Sequence, residues 1–470
     1  MSPLYFLYAD ENVRLRSGLR AGYLYSPLVE IKETDLQKRI FSLVLALVLT
    51  CMGLAAYAAD YAPGEVLVRL KPGMDIVAFN QTFTTTTLSA SPYSNSFRLA
   101  AAVGVDIPTL VSNMTADSRV ASAGTNLSNH ALDTAVSDQF IFTANADETQ
   151  ASQFIFTAND YVYSSDQFIF TANQFIFTAN RNPGLFAYMS QSTSSLIHFG
   201  ATSKRHDGTG VLVAVLDTGI STRNYLLSQH VTNGWNFVDG TSNTDDSPSG
   251  IDSNGNGIPD EVSGHGTMVA GLINRYAQFA TLLPVKVLDS DGSGSLWATT
   301  EGIRYAISRG AKVINMSFGS PQDSPLLNDA IQDAWSAGIV IVTAAGNNNS
   351  YSRQYPAGNL LTISVGSLDA NDVKASFSNY GTWMDVVAPG VGLPSTFWNG
   401  NYASWSGTSF SAPLVSAEAA LIFSAQPTWL AGRVRQRIRQ KVDSVDNLNL
   451  PYTGLLGKGI INMDAALSGL

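Results

Sequence analysis

The sequence predicts an α/β protein, with a mostly parallel sheet covered by helices and a small α+β module ahead of it. Two observations carry this. From Leu196 onward, nearly continuous apolar runs of strand length alternate with amphipathic stretches of helix length, the texture of strands buried on both faces and joined by crossover helices. Upstream of the repeats described below, the apolar segments are short and alternating, with one helix pattern among them.

In chain order, residues 1–36 match neither a targeting pattern nor a domain and are assigned no role. Residues 37–59 read as a secretory signal peptide: basic Lys38 and Arg39, an apolar run, then the small-residue pattern Ala56-Tyr57-Ala58. Cys51, the one cysteine, lies inside it, so cleavage leaves a cysteine-free product; lipid attachment at Cys51 is the minor alternative. Residues 60–123 form the small module. "GEVLVRLKPG" is a strand ended by Pro-Gly, "NSFRLA" and "SRVASA" are two more, and "DIPTLVSNM" is a helix with Asp106 as N-cap and Pro108 in its first turn. Residues 124–190 are a junction carrying the heptad QFIFTAN at Gln139, Gln153, Gln167 and Gln174. The unit is β-prone, and seven is odd, so the fused last pair in one continuous strand would point its phenylalanines to opposite faces. The pair therefore bends near Asn173 or stays unstructured. A spacer and processing zone is the favoured reading, beside an ordered arm on the following domain or an adhesive β-segment.

Residues 191–470 form the large domain. Its buried strands are "GVLVAVLDTG", "TLLPVKVLD", "AKVINMSFG", "GIVIVTAAGN" and "LLTISVGSL"; "SLWATTEGIRYAISRG" and "PLLNDAIQDAWSAG" are helices closed by Gly. Across 470 residues the net charge is −10, which disfavours nucleic acid and anionic membrane surfaces. The basic run Arg433–Lys441 has Val434, Ile438 and Val442 at helical spacing and reads as a helix with a solvated basic face. No stable membrane span is expected in the mature form, which should be monomeric.

Three stretches place reactive side chains at element boundaries. "VLVAVLDTGI" sets Asp217 at the carboxyl end of a strand, "SGHGTMVAGLI" sets His265 at a helix start, and "SWSGTSFSAPLVSAEAALI" sets Ser409 at the entry of another helix. A serine hydroxyl needs a base beside it and a carboxylate to orient that base. It also needs donors for the oxyanion, which Asn347 in "TAAGNNNS" and the Ser409 N–H supply. Separately, "DSNGNGIPDE" carries oxygens at Asp252, Asn254, Asn256 and Asp260, with Gly257 at the sixth position and the Ile258 carbonyl at the seventh. That is the front half of a looped calcium motif. Ser263 stands where its bidentate Glu belongs, leaving Asp260 or Glu261 as substitutes. A structural Ca2+ is expected, and none for catalysis.

"DTG", "HGTxVAG", "AAGN" and "GTSxSAP", in this order, resemble the subtilisin-like serine peptidases, or subtilases, over about residues 190–470. The resemblance implies the subtilisin-like three-layer fold, with Ser409 as nucleophile, His265 as base, Asp217 as its orienting carboxylate and Asn347 as oxyanion donor. It implies substrate backbone pairing with Gly294, Ser295 and Leu296 and with Ser317, Phe318 and Gly319. Ala345 and Gly346 would wall the side-chain pocket. Met268 departs from the family, where a second histidine is frequent, but lies outside the triad. More weakly, residues 60–123 resemble the family's ferredoxin-like propeptide, an intramolecular inhibitor. The expected protein is a self-processed secreted zymogen acting on proteins or peptides. An inactive binding protein on the same fold, or an adhesive protein driven by the heptads, are the other classes.

Overall fold

The computed structural model describes residues 61–127, the strand segments 139–143, 153–157 and 176–177, and residues 184–470 apart from Asn256. The leader, the signal segment with Cys51, and the third heptad lie outside the described residues.

The small module runs β1 (Tyr61–Leu70), α1 (Ile76–Phe83), β2 (Thr85–Ala90), β3 (Ser96–Ala101), α2 (Ile107–Ala116) and β4 (Val120–Leu127). Its antiparallel sheet has the order β2-β3-β1-β4. Helix α1 and strand β2 are additions to the sequence expectation. Asp75 caps α1 by accepting from the Val77 N–H at 2.9 Å, and Asp106 caps α2 by accepting from Thr109 N–H at 3.0 Å. The alternation of β1 explains both faces of the sheet. Val66, Val68 and Leu70 pack with Phe79, Leu99 and Met114 in the module's own core, while Leu67 joins the core of the large domain.

That large domain is built on a nine-stranded sheet. Its strands are β8 (Leu212–Asp217), β9 (Trp235–Asn236), β10 (Thr281–Lys286), β11 (Val313–Met316), β12 (Val340–Ala344), β13 (Thr362–Leu368), β14 (Val386–Pro389), β17 (Val442–Asp443) and β18 (Ile460–Ile461). The order is β17-β18-β14-β13-β12-β11-β8-β10-β9, parallel throughout except for β17 on β18. Both faces are buried, so alternate residues enter different cores: Val213 and Val215 face one side, Ala214 and Leu216 the other. On the first side pack α3 (His265–Tyr276), α6 (Thr408–Ala425) and α7 (Ala431–Gln440). On the second lie α4 (Leu296–Ser308) and α5 (Pro325–Ser336). Three layers result, as expected. The basic run forms α7, with Val434 and Ile438 buried. Its arginines are more engaged than a solvated face implies: Arg435 and Arg439 pair with Asp385, and Arg437 donates to the Ala466 carbonyl.

The small module sits on α4 and α5. Arg69 pairs with Asp333 at 3.0 Å, Ser122 donates to Asp329, and the Tyr93 ring lies 6.2 Å from that of Tyr305. Of the heptads, the first and second form β5 (Gln139–Thr143) and β6 (Gln153–Thr157), paired antiparallel with Phe140 opposite Phe156. The fourth contributes β7 (Ile176–Phe177). With β15 (Leu393–Thr396) and β16 (Tyr402–Ser406) it makes a three-stranded sheet, Trp405 opposite Phe177.

Candidate active site

Asp217 is the last residue of β8, and its side chain shares the face of Val213 and Val215, the side on which α3 packs. His265 is the first residue of α3. Its Nδ1 lies 2.7 Å from Asp217 Oδ1, both side chains completely buried. The approach requires Gly266: a Cβ there would stand 2.2 Å from the Gly219 carbonyl oxygen and 3.1 Å from Asp217 Cβ. Thr218 ties the two elements, donating its N–H to Asp217 Oδ1 at 2.8 Å while its hydroxyl accepts from the Gly266 N–H at 2.9 Å. The His265 ring is walled by Phe410 at 5.3 Å and Trp405 at 6.1 Å.

Ser409 is the second residue of α6, and its hydroxyl donates to the Ser317 carbonyl at 2.8 Å. Ser317 returns a bond from its own hydroxyl to the Ser409 carbonyl, also at 2.8 Å. Asn347 lies beside them. Its Oδ1 accepts from both the N–H and the hydroxyl of Thr408, each at 2.8 Å, so its amide N–H2 end is left facing away from Thr408. Fold and sequence thus bring Asp217, His265, Ser409 and Asn347 to the carboxyl edge of the sheet.

The remaining expected residues divide. Ser317 and Phe318 are buried and Gly319 is partly exposed, while Gly294 and Ser295 are partly exposed. Ser295 caps α4 by accepting from the Ala298 N–H at 3.0 Å, and Leu296 is wholly buried in the core. Ala345 is buried and Gly346 holds a φ of +100°. Met268 is buried in the main core, where an apolar side chain suits its surroundings.

In the loop ahead of His265, Asp252 accepts from the Gly255 and Gly257 N–H groups, each at 2.8 Å, and Asn254 donates to Glu261 at 2.8 Å. Asn256 lies outside the described residues. Asp260, the further acidic oxygen of the expected set, adds a contact the sequence does not show. Its carboxylate turns to the loop stem, accepting from the N–H groups of Ser249 at 2.6 Å and Gly250 at 2.7 Å. The geometry is local: Asp260 adopts a left-handed φ of +63°, and its two carboxylate oxygens serve adjacent N–H groups of the stem. Glu261 is therefore the acid beside Asn254. Among the described residues no three acidic, imidazole or thiol groups converge, so amide and carbonyl oxygens would complete any cation site, which suits a hard ion.

Sequence reasoning missed the supports. Asp246, fully buried, accepts from the Gly264 N–H at 3.0 Å and the Thr267 N–H at 2.9 Å, capping the helix that begins at His265. Burial pushes its carboxyl up to about 6, against the nearby Lys286 and these hydrogen bonds. Asp291 and Asp289 hold Ser253 of the loop at 2.5 and 2.7 Å, and burial raises Asp289. An Asp ahead of "GHGT" was the available signal; its distance from Gly264, eighteen positions, hid it.

A carboxylate, an imidazole and a serine hydroxyl gathered at the carboxyl edge of a parallel sheet define the class of serine peptidases. Residues 208–455 match the model of the subtilase family, and the chain belongs to that family. It is 38% identical to Subtilisin BL of Lederbergia lenta over 268 residues, 55% of this chain and 91% of the relative. To Subtilisin DY of Bacillus licheniformis it is 40% identical over 275 residues, 56% of this chain and 92% of the relative. A solved protease from Pseudoalteromonas arctica superposes with a TM-score of 0.51 at 30% identity, covering 57% of this chain and 92% of that one. Fervidolysin of Fervidobacterium pennivorans, a keratinolytic enzyme related to subtilisin, gives 0.64 at 20% identity over 88% of this chain and 62% of its own; that likeness concerns the fold alone.

Proposed function

We propose that this serine endopeptidase hydrolyses proteins through Ser409, His265 and Asp217, with Asn347 and the Ser409 N–H as oxyanion donors. The observation that carries the reading is the fully buried His265–Asp217 pair at 2.7 Å, with Ser409 and Asn347 at the same sheet edge. The roles follow those known for the family, and the geometry supplies reasons for them. The Ser409 hydroxyl leaves the Ser317 carbonyl and turns to the His265 imidazole. It attacks the scissile carbonyl as its proton passes to His265 Nε2, and the C–N bond then breaks as that proton goes to the departing amine. Water repeats the sequence on the acyl-enzyme, restoring Ser409. Burial of Asp217 keeps its charge unscreened, which stabilises the imidazolium formed in each half-reaction. Following the family, Gly294–Leu296 and Ser317–Gly319 would pair with an extended substrate backbone, and Ala345 and Gly346 would wall the side-chain pocket.

The protein is read further as an exported zymogen: signal segment 37–59 removed, residues 60–123 inhibiting as a folded module, and the junction cut by the enzyme itself. The docking of that module on α4 and α5 supports this reading. A structural Ca2+ is read at the Asp252 loop, where Asp252, Asn254, Asn256, the Ile258 carbonyl and Asp260, or Glu261 in its place, would hold it; when bound it would tie the loop that leads into α3.

Expressed from residue 60 with calcium, wild type should shorten to a species starting between Gly124 and Ser190 by intact mass, while Ser409→Ala stays whole. Both remaining whole, with no cleavage of casein and no labelling by an active-serine phosphonate, would sink the proposal.

A further inference from the structure

We infer that Asn379 is a positioning residue for catalysis, setting the loop Ala345–Ser350 that carries the oxyanion donor Asn347 and one wall of the side-chain pocket. The inference rests on the peptidase reading and deepens it. Asn379 is completely buried and spends both side-chain polar atoms and its backbone N–H on that loop. Its Oδ1 accepts from the Asn348 and Ser350 N–H groups, each at 3.0 Å. Its Nδ2 donates to the Ala345 carbonyl at 3.0 Å, and its backbone N–H donates to the Gly346 carbonyl at 2.9 Å. The neighbouring backbone extends the seam: the Asn349 N–H donates to the Phe377 carbonyl at 2.6 Å, and the Tyr380 N–H to the Ser350 carbonyl at 3.1 Å.

The contact is built to be close. A Cβ on Gly346 would stand 2.5 Å from Asn379 Nδ2, so glycine there is what lets the loop lie against this amide. On the opposite side, Thr408 of the nucleophile's helix holds the same loop, its hydroxyl bonding Asn347 Oδ1 and accepting from the Gly346 N–H at 3.1 Å. Asn347 therefore stands between two clamps. Thr408 sets the direction of its side chain, and Asn379 sets the height of its backbone above the sheet. An oxyanion donor works only when aimed at where the charge develops, and a shift near 1 Å at such a group costs about a hundredfold in rate.

Lys374 braces the clamp from outside. Its ammonium donates to Asn349 Oδ1 at 2.8 Å, to the Ala375 carbonyl at 3.0 Å and to the Ser378 carbonyl at 2.8 Å. It lies 4.8 Å from the Tyr452 ring centre and 5.4 Å from that of Tyr380. One cation thus joins the loop to the residue just before Asn379.

The test compares full-length wild type, Asn379→Ala and Asn379→Asp after self-maturation, with active sites counted by an active-serine phosphonate. In Asn379→Ala, kcat/KM per titrated site on a peptide anilide should fall by about 10- to 100-fold, mostly in kcat. The inhibition constant of a peptide boronate should rise by a similar factor, while a product peptide binds within about threefold of wild type. In Asn379→Asp an ionised carboxylate still accepts from Asn348 and Ser350 but meets the Ala345 carbonyl without a proton to share. Protonated, it donates again. Its kcat relative to wild type should therefore climb as pH falls from about 9 to about 5. A lowered melting temperature with kcat/KM per site within about twofold of wild type would mean a merely structural role and overturn the inference. Loss of kcat in Asn379→Asp without recovery at low pH would overturn it equally, and decides the case if Asn379→Ala does not fold. Wild type that does not label removes the underlying function, and the inference with it.

Discussion

Glu418 lies midway along α6, fully buried, and among the described residues neither carboxylate oxygen has a hydrogen-bond partner. Burial alone holds its carboxyl well above the ordinary value of 4.5. The sign of the consequence follows from linkage. Below the unfolded value both states carry the proton. As pH rises past it, the unfolded chain ionises while the folded one does not, and folding loses stability with each further unit. Glu418→Gln removes the titration while keeping the shape. Its melting temperature should gain on wild type steadily between about pH 5 and about pH 9, by calorimetry on the phosphonate-inactivated enzyme; a gain independent of pH would show that Glu418 ionises freely in the fold. At this same scale the reactive residues were legible from sequence, because each stands in a short run beside its own strand end or helix start. Their clamps were not. Thr408 is adjacent to Ser409, yet only the approach of the Asn347 loop gives its hydroxyl a purpose.

The loop before α3 and the heptads show what an element's neighbours decide. Spacing of oxygens in "DSNGNGIPDE" marked a cation loop, but the backbone at Asp260 turned that side chain to the stem and left Glu261 beside Asn254. The two acids should separate experimentally. Glu261→Ala should abolish the rise in melting temperature that calcium gives over EDTA. Asp260→Ala should lower melting temperature in both buffers, because the Ser249 and Gly250 N–H groups lose their acceptor, at a cost of about 1–3 kcal/mol. Equal calcium responses in all three proteins would remove the metal from this loop. The heptads were expected chiefly as a spacer. Their β-propensity is expressed wherever an edge is within reach: two copies pair with each other, and the fourth takes the edge of β16, three residues before Ser409 in the chain. Edge strands recruit whatever extended chain lies beside them, which sequence periodicity alone cannot foresee.

For the whole molecule, the interface between the small module and α4–α5 combines an exposed ion pair with a shared core. Arg69 and Asp333 are each about a quarter to a third exposed at the side chain, and such pairs contribute at most about 1 kcal/mol. Leu67 is fully buried with residues of both helices, and truncating a buried leucine costs about 2–5 kcal/mol. The magnitudes predict an order. Leu67→Ala in the released module should weaken its inhibition of the mature enzyme by more than about tenfold, and Arg69→Ala by less than about fivefold. Inhibition constants from progress curves check this, and the reverse order would place the binding energy in the charges.

By itself the sequence determined the alternation that makes a buried parallel sheet, the cap and glycine signals that bound its helices, and the identities of acid, base, hydroxyl and amide. Those are local properties: period, propensity and reactive group are legible within a dozen residues. Tertiary structure alone decided the rest. It chose Asp246 to cap the histidine's helix, and Asn379 and Thr408 to hold the Asn347 loop. The reason is that a hydrogen bond is satisfied by proximity in space. Partners eighteen to sixty-one positions apart meet only once the sheet has brought their loops to one edge.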